Sequence, residues 1–235
     1  MSSEERSAGV HYKDEQAFWD AKGRVEYVSL SEFDQQRIRQ WVGPLAGDAC
    51  ILDLGGGSGM MGRALGVADM SRIVCIDISL NMLRHSAGLA VQGDALCLPF
   101  LDRAFDVVIA AAFLHHVPGL ENKVLQECSR VLKPGGKIFG YDPSASCIQN
   151  RVFMGRGSMR LKTFSPDEMP VRSTYLRECL ETHGFDAGPV RHFSFRNARL
   201  TLFEVVQRWI IDPIAVGPLK PYLARWFFWS ATRRS

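Results

Sequence analysis

The segment ILDLGGGSG, residues 51–59, most constrains how this chain can fold. A short apolar run that leads into a glycine cluster is typical of a buried parallel strand followed by a turn and a helix. Glycine adopts positive φ at little cost and lets backbone N–H groups approach a ligand closely. The segment therefore predicts a strand–turn–helix unit that binds a ligand at the turn.

Short apolar runs and helical patterns alternate along the first 142 residues. This alternation predicts a doubly wound α/β sheet, parallel in this part, with right-handed crossovers and helices on both faces. The predicted strands are 50–54, 72–77, 89–94, 105–112 and 137–142. The predicted helices between them are 59–67, 79–87 and 121–132.

Both ends of the chain depart from this alternation. Residues 14–42 predict two short helices broken near Gly23, and Ser31 is the expected N-cap of the second. Residues 143–169 predict an insertion over the carboxyl edge of the sheet, where such folds bind their ligands. The remaining predicted elements are a helix at 172–183, a sixth strand at 185–195 and a helix at 199–211.

Composition limits the class of protein. Apolar residues make up 46% and charged residues 23%, which is typical of a globular domain. The six cysteines and six histidines show no zinc-type spacing, so we expect no metal site and a reducing, cytoplasmic location. The N-terminus is polar and acidic, unlike a signal peptide, and no apolar run is long enough to span a membrane.

Two ligands compete for the glycine turn. Gly57, Gly59 and Gly62 match the G-x-G-x-x-G pattern of dinucleotide-binding proteins, which predicts a nucleotide-dependent oxidoreductase. The same turn also matches a second pattern, D-x-G-x-G-x-G, formed by Asp53, Gly55, Gly57 and Gly59. An acid at the strand end favours a ligand with an ammonium group over one with a pyrophosphate.

The D-x-G-x-G-x-G pattern resembles motif I of the class I S-adenosylmethionine-dependent methyltransferases. GDALCLPF at 93–100, FDVVI at 105–109, LHHV at 114–117 and SRVLKPGG at 129–136 are similar to later segments of that family, in order. The resemblance spans residues 48–142 and is to the branch with the ubiquinone- and menaquinone-biosynthesis enzymes. It implies a Rossmann-like sheet of seven strands, parallel except for one antiparallel C-terminal strand.

The resemblance also implies which residues bind S-adenosylmethionine. In that family an acid at the end of the second strand binds the ribose, as Asp77 would here, and the acid matching Asp94 meets the adenine amino group. An aromatic residue before the first helix, Tyr12, is expected to cover the cofactor. The full set of expected cofactor contacts is Tyr12, Asp53, Gly55, Gly57, Asp77, Ile78, Asp94, Ala95 and Ala111.

Three residues at the sheet edge are candidates for acid–base chemistry. His115 and His116 follow the fourth strand, and Asp142 ends the fifth. A general base is needed only if the acceptor must lose a proton, and an imidazole titrates near neutral pH. Either histidine is a candidate base. Packing of the loop, or a turn cap in the case of Asp142, is the alternative.

Charge separates the two parts of the chain. Residues 1–150 carry 14 Lys and Arg against 18 Asp and Glu, whereas residues 151–235 carry 14 against 7. The basic, aromatic tail favours burial of WFFWSAT, residues 226–232, as a seventh strand. Contact of the tail with a membrane surface is the alternative, and we expect no nucleic-acid partner.

We therefore expect one methyltransferase domain over residues 1–235. It comprises a helical lid (1–45), a cofactor-binding core (46–142) and a substrate-side insertion with C-terminal closure (143–235). The expected reaction is methyl transfer to a small or medium organic acceptor, with oxygen as the first choice of acceptor atom. A membrane-docking lipid or quinone methyltransferase, an oxidoreductase and a non-catalytic regulator remain as alternatives.

Overall fold

The computed structural model describes residues 15–21, 30–86, 88–155, 159–161, 164–165, 167–195, 214 and 216–235. These residues form one eight-stranded sheet with the order β3-β2-β1-β4-β5-β8-β6, and β7 also pairs with β8. The strands are β1 Ile51–Leu54, β2 Ile73–Asp77, β3 Leu89–Gln92, β4 Phe105–Ala111, β5 Leu132–Pro143, β6 Phe185–Ala187, β7 Arg191–Phe193 and β8 Trp226–Arg233.

The helices lie before and between these strands along the chain. We number them α1 (15–21), α2 Glu32–Val42, α3 Met60–Leu65, α4 Leu80–Leu83, α5 Glu121–Val131, α6 Ile148–Phe153, α7 Ser173–Thr182 and α8 Lys220–Leu223. Short 3-10 turns occur at Met70–Arg72, Leu114–His116 and Gly217–Leu219. Ser31 caps α2 as expected, because its hydroxyl accepts a hydrogen bond from the Asp34 backbone N–H.

Strand β1 lies near the centre of the sheet and pairs in parallel with β2 and β4. All four of its residues are buried, as expected for a strand covered on both faces. Neighbouring residues of β1 point to opposite faces of the sheet. Leu52 packs in the hydrophobic core that includes Leu125 of α5, and Ile51 packs in the one that includes Ile38 of α2. The sheet is thus a middle layer, with the carboxyl ends of β1, β2 and β4 at one edge.

The C-terminal strand confirms the expected antiparallel closure. β8 lies between β5 and β6 and is antiparallel to both. Its aromatic residues Phe227, Phe228 and Trp229 are buried, so this part of the tail stabilises the core. The interpretation of these aromatic residues as membrane-facing is wrong.

Several element boundaries differ from the prediction. Strand β5 begins at Leu132 and so includes the turn expected at 134–136, and β3 ends at Gln92. The single strand expected at 185–195 is divided into β6 and β7 because Gly188 and Pro189 interrupt it, and the Gly188 N–H donates to the Ser230 carbonyl at 2.7 Å. The helix expected at 79–87 ends at Leu83. The helix expected at 199–211 lies outside the described residues. Within the described residues, no helix has the length and apolar character needed to cross a membrane.

Candidate active site at the carboxyl edge of the sheet

The glycine turn after β1 depends on backbone conformations that favour glycine. Gly55, Gly57 and Gly59 have φ of 59°, 47° and 70°. A Cβ atom on Gly55 would lie 2.6 Å from the Phe113 ring, so a side chain would also collide there. The turn passes close to the loop after β4 and leads directly into α3.

Asp77 at the end of β2 holds this turn in place. Its Oδ2 atom accepts a hydrogen bond from the Gly57 N–H at 3.2 Å. Its Oδ1 atom accepts one from the Ser79 N–H at 2.9 Å, next to the start of α4. Burial raises the pKa of Asp77 to about 6, and these backbone hydrogen bonds oppose that rise.

Asp53 in β1 is a buried acid with an unused acceptor. Its side chain is 2% exposed, and its Oδ2 atom has no hydrogen-bond partner in the described part of the chain. The pKa of Asp53 is raised to about 7. Burial is the larger cause of this rise, and the negative charge of Asp77 is the smaller one. Leaving a carboxylate buried without a donor is costly. The site is therefore prepared for a ligand that brings a positive charge or a strong donor.

A cavity of about 330 Å³ opens above these residues. It lies at the carboxyl ends of β1, β2 and β4, the usual ligand-binding edge of such sheets. The expected cofactor contacts that line it are Asp53, Gly55, Asp77, Ile78, Asp94, Ala95 and Ala111. Gly57 acts through its hydrogen bond to Asp77 instead, and Tyr12 lies outside the described residues.

His115 is fixed against Asp142 at the opposite side of the cavity. The His115 Nδ1 atom lies 2.9 Å from Asp142 Oδ1, and the His115 backbone N–H donates to the same oxygen at 3.2 Å. Asp142 is fully buried, and its Oδ2 atom accepts a hydrogen bond from the Trp229 indole N–H at 3.0 Å. The structure thus brings two of the candidate catalytic residues together, with Asp142 behind the histidine.

Glu168 holds the other side of the His115 ring. The distance between His115 Nε2 and Glu168 Oε1 is 3.3 Å. Burial favours neutral His115, but the hydrogen bonds and charges of Asp142 and Glu168 outweigh it and raise the pKa of His115 to about 9. Burial alone would raise the pKa of Glu168, but the hydrogen bond to His115 and the charges of both histidines outweigh it and lower the pKa to about 2. His115 is therefore a cation between two carboxylates at neutral pH.

His116 has the opposite character. Burial and the charge of His115 lower its pKa, so the ring stays neutral. Its Nδ1 atom lies 3.5 Å from Glu15 Oε2, longer than a normal hydrogen bond. The ring also meets the Trp19 indole edge-on, with centroids 5.3 Å apart. The structure therefore places a neutral imidazole beside a charged one at the cavity.

The first helix contributes Glu15 and Trp19 to the cavity lining. The two side chains are four residues apart on α1, and the Trp19 indole N–H donates to Glu15 Oε2 at 3.0 Å. Glu15 also accepts a hydrogen bond from the Ser165 hydroxyl. These bonds tie α1 to the segment after α6 across the cavity.

Sequence reasoning missed Glu15, Trp19 and Glu168. The spacing of Glu15 and Trp19 on one helix face was visible, but their partners lie far along the chain. Glu168 lies in a stretch without periodicity, so no local signal marks it. The ligand atoms of His115, His116 and Glu168 all lie within 4.8 Å of one another, close enough to share a metal ion. Both ring nitrogens of His115, however, already face carboxylates.

Comparison with known proteins identifies the class of this site. A family model described as a methyltransferase domain matches residues 52–140, from β1 into β5. The ubiquinone/menaquinone biosynthesis C-methyltransferase UbiE of Roseobacter denitrificans is 30% identical over 132 residues, which cover 51% of this chain and 52% of that protein. UbiE of Legionella pneumophila is 39% identical over 101 residues, which cover 37% of this chain and 40% of that protein.

Solved structures agree on the fold. A SAM-dependent methyltransferase of Thermotoga maritima superimposes with a TM-score of 0.67 at 14% identity, over 95% of this chain and all of that chain. The chain spans about half the length or less of the UbiE relatives it matches. The match decides between the two interpretations of the glycine turn, against the dinucleotide one. Residues 52–140 therefore match a methyltransferase domain, and the chain is similar to UbiE and shares the fold of S-adenosylmethionine-dependent methyltransferases.

Proposed function

We propose that this chain transfers the methyl group of S-adenosylmethionine to a small or medium organic acceptor bound in the same cavity. The observation that carries the proposal is the Asp53 carboxylate, which is buried at the cavity wall and has an oxygen without a partner among the described residues. The ammonium group of S-adenosylmethionine would supply the missing charge-assisted hydrogen bond. A dinucleotide has no such group to offer.

Two further acids support the same orientation of the donor. Asp77 and Asp94 line the cavity, and we assign them to the ribose hydroxyls and the adenine amino group. Each Asp77 oxygen accepts one backbone N–H, which leaves a second lone pair for a hydroxyl. The remaining proposed contacts are Gly55, Ile78, Ala95 and Ala111, with Gly57 holding Asp77 and Tyr12 still a prediction.

The protein supplies position more than chemical activation. When bound, S-adenosylmethionine provides a methyl group that its sulfonium already activates. The chain has to hold the acceptor in line with that methyl group and keep water out. Trp19 of α1 and Phe164 of the segment after α6 line the acceptor side with the two histidines, and they would exclude water there.

We assign proton removal to His116. His115 is charged at neutral pH and both of its nitrogens are engaged, so it has no free lone pair. His116 is neutral because burial and the adjacent charge lower its pKa, and Glu15 lies beside it to stabilise the imidazolium that forms. In the transfer, the acceptor–methyl bond forms, the carbon–sulfur bond breaks and the acceptor proton moves to His116.

A hydroxyl oxygen is the first proposed acceptor atom, because its proton must leave and a base is present. A carbon atom activated by a neighbouring hydroxyl is the second candidate. It is favoured by the UbiE relatives, which are named as C-methyltransferases. Both acceptors lose one proton, so both suit a neutral imidazole in the cavity.

Isothermal titration calorimetry with S-adenosylmethionine tests the donor site. Replacing Asp53 by Asn is expected to weaken binding about tenfold to a hundredfold, the value of one charge-assisted hydrogen bond. Asp186→Asn, which alters an exposed acid on β6, is the matched control and should bind normally. Tight binding of NAD(P)H without binding of S-adenosylmethionine would overturn the proposal. Formation of S-adenosylhomocysteine with a panel of phenols and hydroquinones then tests the acceptor.

A further inference from the structure

The exposed apolar side chains of this chain are concentrated on two segments. Of the eleven large apolar residues exposed in the described parts, seven lie between 148 and 222. Their exposed fractions run from 48% to 63%, whereas isolated exposed apolar residues need no explanation. They are Ile148, Met159 and Leu161 from the insertion after β5, and Ile214, Val216, Leu219 and Tyr222 from the segment before β8.

The two segments are neighbours in the structure. Helices α6 and α8 are in contact, and the Asn150 side chain donates to the Arg225 carbonyl at 2.6 Å. The Leu161 N–H donates to the Phe153 carbonyl at 3.0 Å, which fastens residues 159–161 to the end of α6. We call the seven exposed residues together the apolar surface.

The described charged residues within the two segments are cations: Arg151 and Arg160 between residues 148 and 161, and Lys220 and Arg225 between residues 214 and 225. The acid Glu168, further along the insertion, pairs with His115 at the cavity. Lys220 lies on α8 between Leu219 and Tyr222. Exposed apolar and aromatic residues that share their segments with cations match the interface of an anionic lipid bilayer, with its acyl boundary and negative headgroups.

The surface and the cavity share one segment of the chain. Phe164 and Glu168, which line the cavity, belong to the same insertion as Met159 and Leu161. We infer that the apolar surface docks this chain on an anionic membrane, so that an acceptor dissolved in the bilayer reaches the cavity from that side. The docking itself does not depend on the proposed methyl transfer, because it can be measured without turnover.

The residues proposed to contact the membrane are not the ones that the composition of the C-terminal tail suggests. The aromatic run Trp226–Trp229 is the conspicuous part of the tail, but most of it is buried in β8. The docking residues precede it and include the insertion, which carries no such run. A truncation that removes β8 would therefore destroy the fold without testing the surface.

Co-sedimentation of the full chain with vesicles tests the inference. Vesicles of phosphatidylcholine with phosphatidylglycerol should carry the protein down at low ionic strength, and pure phosphatidylcholine vesicles should carry down far less. Val216→Ser with Leu219→Ser should reduce the bound fraction about tenfold, and Lys220→Glu should reduce it while leaving the apolar residues intact. Leu101→Ser is the matched control, because Leu101 is 84% exposed on a different loop.

Three results would overturn the inference. One is no sedimentation with anionic vesicles; another is equal loss in the Leu101 control. A third is dimerisation of the wild type in analytical ultracentrifugation, abolished by the Val216 and Leu219 changes, without vesicle binding; the surface would then contact a second copy. Calorimetry with S-adenosylmethionine on the same variants should be unchanged. A failure of docking is therefore distinguishable from a failure of the proposed donor site.

Discussion

The indole N–H of Trp229 lies 3.0 Å from the Asp142 Oδ2 atom and donates a hydrogen bond to it. This bond links the last strand of the sheet to His115, because Asp142 Oδ1 accepts from the His115 ring. Both partners are buried. The antiparallel strand β8 therefore helps to fix His115 at the cavity, in addition to packing in the core.

Replacing Trp229 by Phe keeps an aromatic ring but removes this donor. We expect a loss of about 1–3 kcal/mol in the free energy of unfolding, the cost of leaving a buried acceptor unsatisfied. Urea unfolding measures the loss, and the transfer rate should fall with it. In an Asp142→Asn background the Trp229 change should cost less, since the charged acceptor is already gone. Equal costs in both backgrounds would show that the bond does not contribute.

The glycine turn gives a test with an internal control. Gly55→Ala introduces a Cβ atom at φ 59° and 2.6 Å from the Phe113 ring. Gly135→Ala introduces one at φ 75° with no atom within 4 Å. Both should lose about 1–2 kcal/mol from the left-handed conformation. Gly55→Ala should lose more and should also weaken S-adenosylmethionine binding, measured by calorimetry. If the two variants behave alike, the Phe113 contact is unimportant.

Asp53 should make the stability of the ligand-free protein depend on pH. Its folded pKa of about 7 exceeds the unfolded value near 3.9, so folding takes up a proton between these values. The stabilising contribution is present below about pH 4 and is lost as the pH rises through 7. Asp53→Asn should remove this component, so the variant should gain stability relative to wild type at pH 8 but not at pH 4. Urea unfolding at both pH values provides the check.

The glycine turn and the acids beside it could be predicted because their signals are local. The strand before Gly55 and the acid at Asp77 follow patterns that a short window of sequence contains. The parallel arrangement of the first five strands follows from the alternation of strands and helices. The acceptor side depends on partners far apart in the chain: Glu15 meets Ser165, and Glu168 meets His115. No local pattern encodes such pairs, since tertiary packing alone brings them together.

His116 should show its role in the pH dependence of turnover. A base must be deprotonated to act, so the rate should be full above the pKa of His116 and fall below it. Since that pKa is lowered, activity should persist to pH values below 6.5, the ordinary value. His116→Gln should reduce the rate at saturating acceptor about a hundredfold or more. S-adenosylmethionine affinity, measured by calorimetry, should not change. A rate near that of wild type would exclude His116 as the base.

Glu168 should keep His115 charged. Glu168→Gln removes one of the two carboxylates that raise the pKa of His115 to about 9, so the ring should titrate at a lower pH in NMR spectra. The raised pKa stabilises the fold fully below about pH 6.5, and this contribution is lost as the pH rises through 9. In the variant this contribution should be smaller, and its loss, which still begins near pH 6.5, should be complete at a lower pH than in wild type.

The conservative change Glu168→Asp separates charge from position. If the charge itself matters, Glu168→Asp should restore part of the high pKa of His115, because the carboxylate remains near the ring. A protonated His115 in turn favours neutral His116, since the charge of His115 lowers the pKa of its neighbour. Glu168 itself also raises the pKa of His116, so its removal has two opposing effects on the pH profile of turnover. An unchanged NMR titration of His115 would contradict the coupling between Glu168 and His115.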